Sequence, residues 1–598
     1  MGMTSIGLTI LGTSIGTVSM AGLAIARADH PLFVAYPPDG HETTSDQIFL
    51  IGTAPPDGEV TVNGDIIERS PAGHFAPSVP LELGENVITL SYGDHDLQLR
   101  VTRQSAAPPA PVGVAFADGS LTPAVDMARM PGELICFEAI APPNASVRVA
   151  IGDQTIPLLA QSSSVTLPPN SAVLTSQNQP VPVSVAESYQ GCTVFAEPGN
   201  LGGPEFHLTL NGQTVRDAAT GTITILAPTS MQIAEVTADS GTARTGPSTN
   251  YSRLTPLPPT TQARITGREG EWYRLDYGAW IAASQVDVRP GAVPPRSLIR
   301  SVRALQTDDR TDIYFPLQVP VPVSVQQGSN TFTLTLYNTT AQTDTILLND
   351  DPLIDRLDWT QPAPDRIDYI FRLKTDQQWG YQLRYDGTTL VLSLRHPPSL
   401  VSSSSPAQTL RGMTILLDPG HGSENDLGAR GPTGYPEKDV NLVVSTLLRD
   451  ELIDRGATVV MTREGDDDLY PSDRVDIINQ LEPDLALSIH YNALPDSGDA
   501  VNTAGIGTFW YHPQAHSLAV FLHNYLVDTL DRPSYGVFWN NLALTRPTVA
   551  PSVLLELGFM INPVEFEWIT DPNSQRQLAN ALADGIAAWM DTQMDESQ

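Results

Sequence analysis

The sequence has little cysteine and little positive charge. Its 598 residues include two cysteines, and 33 lysine and arginine residues stand against 67 aspartate and glutamate residues, for a net charge of −34. Neither Cys136 nor Cys192 has a nearby cysteine or histidine at zinc-finger spacing, so they leave open only whether one disulfide forms. The shortage of cations argues against a nucleic-acid partner, because few side chains are available to displace the counterions of phosphates.

Long apolar runs are absent after residue 28. Residues 6–25 carry no charge and are followed by Ala26-Arg27-Ala28, which is typical of a secretory signal peptide spanning residues 1–28. No lysine or arginine precedes this run, so a retained membrane anchor is the alternative. No later run is long enough to cross a bilayer. We therefore expect an exported protein of the periplasm or cell envelope.

Short alternating strands and turn residues dominate the first two thirds of the chain and predict several all-β modules. In residues 29–104 the phrases Ile51-Gly52-Thr53 and Val62-Asn63-Gly64 resemble bacterial immunoglobulin-like modules, which implies a small β-sandwich acting as a spacer or a binding module. A Pro/Ala linker follows at residues 105–114. Residues 115–230 are predicted to form a β-rich domain whose role the sequence does not reveal.

Two further β modules are predicted before the chain changes character. Residues 231–290 carry an arginine ahead of a Gly-Pro turn and two tryptophans, Trp272 and Trp280, and resemble the bacterial SH3-like family. That resemblance implies binding of cell-wall peptides, although the tryptophans also suit the core of a small barrel. Residues 296–398 resemble AMIN-type domains, which localise proteins in bacterial envelopes. Residues 399–412 form a Ser-rich hinge.

From residue 413 to residue 594, strands alternate with amphipathic helices. This order predicts a C-terminal α/β domain with a mostly parallel sheet flanked by helices. One apolar run is a predicted strand with His421 at its carboxyl end, and a second is a predicted strand with His490 at its carboxyl end. Glu556 is a lone carboxylate inside a third apolar run. Because ligands sit at the carboxyl ends of strands in open α/β sheets, these side chains are the candidate functional residues.

Two histidines need a third protein ligand to hold a catalytic zinc ion. Glu437 is the best candidate, since it lies just ahead of a predicted helix, whose positive end favours a carboxylate. A Gly-rich loop joins it to His421. Two histidines and one carboxylate suit zinc better than magnesium or calcium, which prefer oxygen ligands. On these residues alone, a purely structural role for each histidine remains the alternative.

Five motifs stand in one order in this part of the chain: Leu-Asp-Pro-Gly-His-Gly at 417–422, Glu-Lys-Asp-Val-Asn-Leu at 437–442, Met-Thr-Arg at 461–463, Ser-Ile-His-Tyr-Asn-Ala at 488–493 and Leu-Leu-Glu-Leu-Gly-Phe at 554–559. Together they resemble the zinc-dependent N-acetylmuramoyl-L-alanine amidases of the Amidase_3 family. The resemblance covers Met413 to about Thr592. The chain departs from the family pattern at Ser423, where glycine is usual, and at Pro436.

The resemblance implies a site as well as a fold. It implies that Zn²⁺ is held by His421, Glu437 and His490. Glu556 then corresponds to the catalytic glutamate, and its apolar strand should raise its pKa so that it exchanges protons with water and the leaving nitrogen. The implied substrate is peptidoglycan, cut between N-acetylmuramic acid and the L-alanine of the stem peptide.

Several features remain open at this level. Arg463 and Asn492 either orient the ligands or meet the substrate. Residues 491–507 are short and polar and lack the plugging helix of some family members, so we expect an open site, with regulation by upstream domains or an envelope partner left open. Three other histidines are predicted to lie on the surface: His512, His516 and His523. The alternatives are a zinc peptidase acting within the stem peptide and an inert wall-binding protein. We expect a monomer.

Overall fold

The computed structural model describes residues 32–105, 111–161, 164–166, 181–183, 188–291, 293–400 and 408–595. The predicted signal peptide lies outside the described residues, as do residues 106–110 of the predicted linker and residues 401–407 of the predicted hinge. The chain folds into β-rich segments followed by a C-terminal α/β segment. Over the described ranges, no helix has the length and apolar character needed to pass through a bilayer.

Residues 32–105 form three small sheets around a buried apolar core. Their strands are β1 (Phe33–Tyr36), β2 (His41–Thr43), β3 (Gln47–Phe49), β4 (Ile51–Thr53), β5 (Val60–Val62), β6 (Asp65–Ile66), β7 (His74–Phe75), β8 (Ser78–Pro80), β9 (Gly84–Tyr92) and β10 (His95–Arg103). Asn63 and Gly64 join β5 to β6 with φ values of 52° and 92°. Positive φ at both positions is what a two-residue hairpin turn requires, which explains the Asn-Gly pair.

The next segment contains a six-stranded sheet with the order β12-β17-β14-β13-β19-β20. The strands of the whole segment are β11 (Met127–Arg129), β12 (Leu134–Ile140), β13 (Ser146–Ile151), β14 (Gln154–Ala160), β15 (Ser164–Thr166), β16 (Val181–Val183), β17 (Ser188–Val194), β18 (Gly199–Gly202), β19 (Glu205–Leu210), β20 (Gln213–Ala218) and β21 (Ile223–Ile225). Cys136 and Cys192 lie opposite each other in β12 and β17 and are disulfide-bonded. The structure thus answers the question that the two cysteines left open.

A second sheet crosses the domain boundary predicted at residue 230. Its order is β18-β21-β11-β23-β22-β26, so strands from both predicted domains share one hydrogen-bonded ladder. The later strands are β22 (Met231–Val236), β23 (Gln262–Glu269), β24 (Trp272–Leu275), β25 (Trp280–Ala282) and β26 (Val286–Gly291). Trp280 is buried, and the guanidinium groups of Arg129 and Arg274 lie 5.5 and 5.9 Å from its ring centre. Trp280 therefore packs inside this sheet assembly.

Residues 297–395 form two sheets with the orders β31-β27-β28-β35-β34 and β29-β30-β33-β32, which enclose an apolar core. Their strands are β27 (Ser297–Gln306), β28 (Arg310–Pro316), β29 (Val323–Gln327), β30 (Thr331–Tyr337), β31 (Thr339–Leu347), β32 (Ile354–Ala363), β33 (Arg366–Leu373), β34 (Tyr381–Asp386) and β35 (Thr389–Arg395). In β30, Phe332, Leu334 and Leu336 point inward and are buried, as the period of two requires.

The C-terminal segment is built on one six-stranded sheet with the order β37-β36-β38-β41-β39-β40. Its elements are β36 (Thr414–Pro419), α1 (Glu437–Asp454), β37 (Thr458–Met461), α2 (Pro471–Leu481), β38 (Leu485–Asn492), β39 (Ile506–Trp510), α3 (Pro513–Leu530), β40 (Ser534–Trp539), β41 (Ser552–Phe559), α4 (Pro563–Thr570) and α5 (Pro572–Asp595). On α1, Val440, Val444, Leu448 and Leu452 recur every four residues and are buried in the core.

This sheet is mixed. The sequence predicts a mostly parallel sheet and does not indicate an antiparallel strand. Four strand pairs are parallel, but β39 runs antiparallel to β41. The reason is the connection between β38 and β39, which is a loop without a helix. A loop can return the chain from the same edge, whereas a parallel neighbour needs a crossover.

Two of the β segments pack directly on the α/β segment. Trp379 is buried in the core of the α/β segment, with its ring centre 5.6 Å from that of Trp589. At the other end of the chain, Phe49 and Ile51 share an apolar cluster with Phe559, which is the last residue of β41. The β segments are therefore attached to the α/β segment by buried apolar contacts.

Candidate metal centre

His421 lies in the turn that follows β36, and its backbone is unusual. Its φ is 59°, which a non-glycine residue seldom adopts. Arg474 Nη2 donates to the His421 carbonyl oxygen at 2.5 Å and fixes this conformation. The preceding residue must be glycine, because a Cβ atom on Gly420 would stand 2.1 Å from the ring of His490. The turn thus brings two imidazoles together.

Glu437 is the first residue of α1 and is almost fully buried. Its Oε2 accepts the backbone N–H of Ala429 at 2.9 Å, and its Oε1 accepts that of Tyr491 at 3.1 Å. Asn441 Nδ2, one helical turn later, donates to Oε1 at 3.1 Å. The positive end of the helix further favours the carboxylate here. Glu437 is thereby held as a charged group inside the protein.

His490 and Glu556 are partners across two central parallel strands. His490 lies in β38 opposite Glu556 in β41. Side chains at paired positions of adjacent strands share one face of the sheet, so the register places Glu556 on the same face as His490.

The donor atoms of His421, Glu437 and His490 all lie within 4.8 Å of one another. His421 Nε2 is 3.2 Å from Glu437 Oε2, and His490 Nδ1 is 3.1 Å from Glu437 Oε1. Two ligands bound tetrahedrally to zinc at 2.0–2.1 Å would be about 3.3 Å apart. The spacing and the chemistry of this donor set therefore fit zinc, and the sequence prediction of a convergent group agrees with the geometry.

The charges in this group are strongly coupled. Burial opposes ionisation of Glu437, but hydrogen bonds from His421 and His490 outweigh it and hold its pKa well below the usual value. Burial likewise disfavours the charged form of His421, yet Glu437 and Asp426 raise its pKa to about 9. In Glu556, burial and then repulsion from Glu437 raise the pKa well above the ordinary range. The lowered pKa keeps Glu437 charged for binding a cation, and the raised pKa makes Glu556 the stronger proton acceptor.

Residues 415–588 match the Amidase_3 family model. That model is described as N-acetylmuramoyl-L-alanine amidase. All four candidate residues, His421, Glu437, His490 and Glu556, fall within the matched range, which we call the Amidase_3 region.

The chain is similar to curated proteins over part of its length. A stretch of 191 residues is 38% identical to the probable cell wall amidase LytH of Staphylococcus aureus, and it covers 30% of this chain and 59% of that protein. The chain thus spans less than two thirds of the length of this curated relative.

Solved structures also match about a third of the chain. An N-acetylmuramoyl-L-alanine amidase from Clostridium difficile 630 is 30% identical, with 30% of this chain and 97% of that chain covered and a TM-score of 0.29. The catalytic domain of CwlV, an N-acetylmuramoyl-L-alanine amidase from Bacillus (Paenibacillus) polymyxa var. colistinus, is 29% identical, with 30% and 98% covered and a TM-score of 0.28.

A buried ion pair supports the Amidase_3 region beneath the ligand group. Asp418 accepts from Arg474, Thr462 and Ser488, each at 2.6 Å. Arg474 also donates to the His421 carbonyl oxygen, so the pair connects β36, β38 and the residue after β37 to the histidine turn. Sequence reasoning missed both members. Asp418 gave a signal of the same kind as Glu556, a carboxylate inside an apolar strand.

The two residues of undecided role lie in different surroundings. Arg463 is buried and donates to the carbonyl oxygens of Pro419 and Gly420 at 2.9 Å and of Lys438 at 2.7 Å. It therefore ties the histidine turn to the start of α1. The Asn492 side chain accepts from the adjacent Ala493 N–H at 2.8 Å and is not a member of the ligand group.

Two further residues act on the ligands and were not predicted. Asp426 Oδ1 lies 2.6 Å from His421 Nδ1 and so orients that imidazole. Asn441 Nδ2 donates both to Glu437 and, at 3.2 Å, to the Gly420 carbonyl oxygen. Asn441 stands within the second sequence motif, but Asp426 lies in a loop with no distinguishing pattern.

The surface prediction for three histidines was wrong for His523, which is buried. The inner face of α3 packs against β40, and Ser534 Oγ supplies a partner for His523 at 2.9 Å. His512 is partly buried and donates from Nε2 to the Arg546 carbonyl oxygen at 2.9 Å. His516 is exposed, as predicted.

The loop after β38 faces the N-terminal β segment. Asp496 Oδ2 is 3.1 Å from His41 Nε2, and Ala500 is buried in the cluster that contains Phe49. In the described residues, the ligand group has no member from this loop. The open site remains a prediction.

Proposed function

We propose that this protein is a zinc-dependent amidase of peptidoglycan, which cleaves the amide bond between N-acetylmuramic acid and the L-alanine of the stem peptide. The observation that carries the proposal is the convergence of His421, Glu437 and His490, with the half-buried Glu556 paired to His490 on the next strand, in a region that matches a family described by this activity. The zinc ion would be held by those three side chains.

A zinc ion bound there would lower the pKa of water to about 7 and polarise the substrate carbonyl group. Glu556 removes a proton from the attacking water and returns it to the departing alanine nitrogen. The carbonyl C–N bond breaks, a C–O bond forms, and the products are a lactyl carboxylate and a free amine. A raised pKa suits this exchange, because it makes the Glu556 carboxylate a better acceptor for the proton of water.

The upstream segments are proposed to place this activity at the cell wall. In this proposal residues 1–28 direct export, residues 29–104 are an immunoglobulin-like module, residues 231–290 an SH3-like module and residues 296–398 an AMIN-like module. The role of residues 115–230 stays open, as does the need for an envelope partner. The protein is proposed to act as a monomer.

Mass spectrometry of purified peptidoglycan digested by the full chain tests the proposal. An amidase releases peptides that begin with L-alanine and leaves free lactyl carboxylates on the glycan. New ends within the stem peptide would indicate a peptidase instead, and no cleavage by the zinc-loaded protein would indicate an inert binding protein. Glu556→Gln should lower the rate at least 100-fold, whereas Glu464→Gln, at an exposed position in the same region, should not.

A further inference from the structure

A cavity lies where three parts of the chain meet. It has a volume of about 700 Å³ and is lined by individual residues drawn from 242–279, 323–381 and 511–546. This volume is within the range of small-ligand sites. No member of the ligand group lines it.

The cavity lies at the opposite end of the strands from the metal centre. Gly507 in β39 pairs with Glu556, and β39 runs antiparallel to β41, away from the strand ends that carry the ligands. Tyr511 and His512 follow the far end of β39 and line the cavity. Tyr511 lies four positions after Gly507, which corresponds to about 13 Å at the usual rise of a strand.

Among the described residues, two guanidinium groups at the cavity wall have no carboxylate partner. Arg253 Nη1 donates to Thr242 Oγ1 at 3.3 Å, and Arg546 Nε donates to the Leu542 carbonyl oxygen at 3.0 Å. Burial and then repulsion from Arg244 lower the pKa of Arg253, and burial and then repulsion from Arg253 and Arg244 lower that of Arg546 to about 10. Tyr511 acts on both in the opposite direction.

The rest of the wall presents aromatic faces. Tyr277 and Tyr337 lie at a tilt with ring centres 4.6 Å apart, and Tyr511 and Trp539 lie 5.2 Å apart. These rings offer apolar surface beside the two guanidinium groups, so a complementary ligand combines an anionic group with apolar groups.

We propose that this cavity binds a short peptide with a free carboxylate. The carboxylate pairs with Arg253 and Arg546, whose planar forks match it in a bidentate manner. The apolar side chains of the peptide lie on the tyrosine and tryptophan rings. Inorganic phosphate can pair with the two guanidinium groups but brings no apolar surface for these rings. The site does not rest on the proposed function, because it shares no residue with the metal centre.

Isothermal titration of the full chain at pH 7 tests this site. The probes are N-acetyl-Ala-Ala with a free carboxylate, the same dipeptide as its C-terminal amide, and inorganic phosphate. We expect the free acid to bind and the amide to bind at least 10-fold more weakly, since a charge-assisted hydrogen bond is lost. Failure of the acid to bind, equal binding of the amide, or equal or tighter binding of phosphate would overturn the proposal.

Matched variants locate the binding. Arg253→Gln and Arg546→Gln should each lower the affinity for the free-acid dipeptide at least 10-fold, whereas Arg300→Gln, at an exposed position, should leave it unchanged. Because Arg253 and Arg546 repel each other, neither change should lower the thermal midpoint, and Arg546→Lys, which keeps the charge without the fork, should give an intermediate affinity. Glu556→Gln should bind the acid as the parent protein does. Unchanged affinity in both arginine variants would contradict the assignment.

Discussion

At the scale of single residues, the metal centre depends on fixed backbone positions. Glu437 is held by two backbone N–H groups and by Asn441, and His421 by the left-handed turn that Arg474 supports. Because these donors are already oriented, a cation binding here does not need to order its ligands. The motifs in the sequence identify the ligands themselves, but not Asp426, which reaches His421 from a loop.

Asp426→Asn should lower zinc affinity about 10- to 100-fold. Asp426 lies 2.6 Å from His421 Nδ1 and raises the basicity of that imidazole. Competition with a chelator of known affinity measures the change. Asp467→Asn, at an exposed position nearby, serves as the control. Equal zinc affinity in the two variants would exclude an orienting role for Asp426.

His512 should make the stability of the protein depend on pH. Burial lowers its pKa to about 4, whereas an unfolded histidine titrates near 6.5. The unfolded chain therefore binds the extra proton between these values, so stability is intact above about pH 6.5 and falls as the pH drops toward 4.

Replacement of His512 by glutamine should reduce this slope. One proton corresponds to at most about 1.4 kcal/mol per pH unit. Denaturant unfolding at several pH values between 4 and 7 measures it, with exposed His516→Gln as the control. A slope in the His512 variant that matches the parent protein would show that another group is responsible.

At the scale of elements, the strand ends of the sheet were predictable and its supporting contacts were not. The apolar runs that end at His421 and His490 do form β36 and β38, and the period of α1 gives its buried face. The antiparallel β39 was not predicted, because strand direction depends on where a loop returns in space. The pairing of Asp418 with Arg474 joins residues far apart in sequence, so no local pattern reveals it.

Arg474→Met should destabilise the α/β segment by about 3–5 kcal/mol. The change leaves Asp418 buried without its cationic partner, at 1% side-chain exposure. Urea unfolding measures the loss, and Arg449→Met, which removes an exposed pair with Asp450, should cost about 0–1 kcal/mol. A loss below 1 kcal/mol for Arg474→Met would contradict the role given to this pair. Adding Asp418→Asn to the variant should recover part of the stability.

At the scale of the whole molecule, the β segments and the Amidase_3 region are joined by buried contacts. Trp379 enters the α/β core, and Arg395 Nη2 donates to Asp484 at 2.8 Å beside it. Composition and period predicted β modules in a row, but they did not predict the sheet that crosses residue 230 or the docking of Phe49 on Phe559. Such contacts join complementary surfaces from distant segments, and a strand pattern reports only which of its own faces is apolar.

Trp379→Ala should cost about 3–5 kcal/mol, because a large buried side chain leaves a cavity against Trp589. The loss should appear in the unfolding of the α/β segment, which tryptophan fluorescence and far-ultraviolet circular dichroism report together. Trp359→Ala, at a position with 38% exposure, should cost much less. Equal costs for the two variants would show that Trp379 does not join the segments.

The central claim is tested most directly by titrating zinc into the metal-free full chain and measuring the release of peptides with a new N-terminal L-alanine from purified peptidoglycan. Release should rise to a plateau at about one zinc per chain, because the described residues contain one three-ligand group. Glu556→Gln should bind the same zinc with at least 100-fold slower release. Full release without zinc, or undiminished release by Glu556→Gln, would contradict the account.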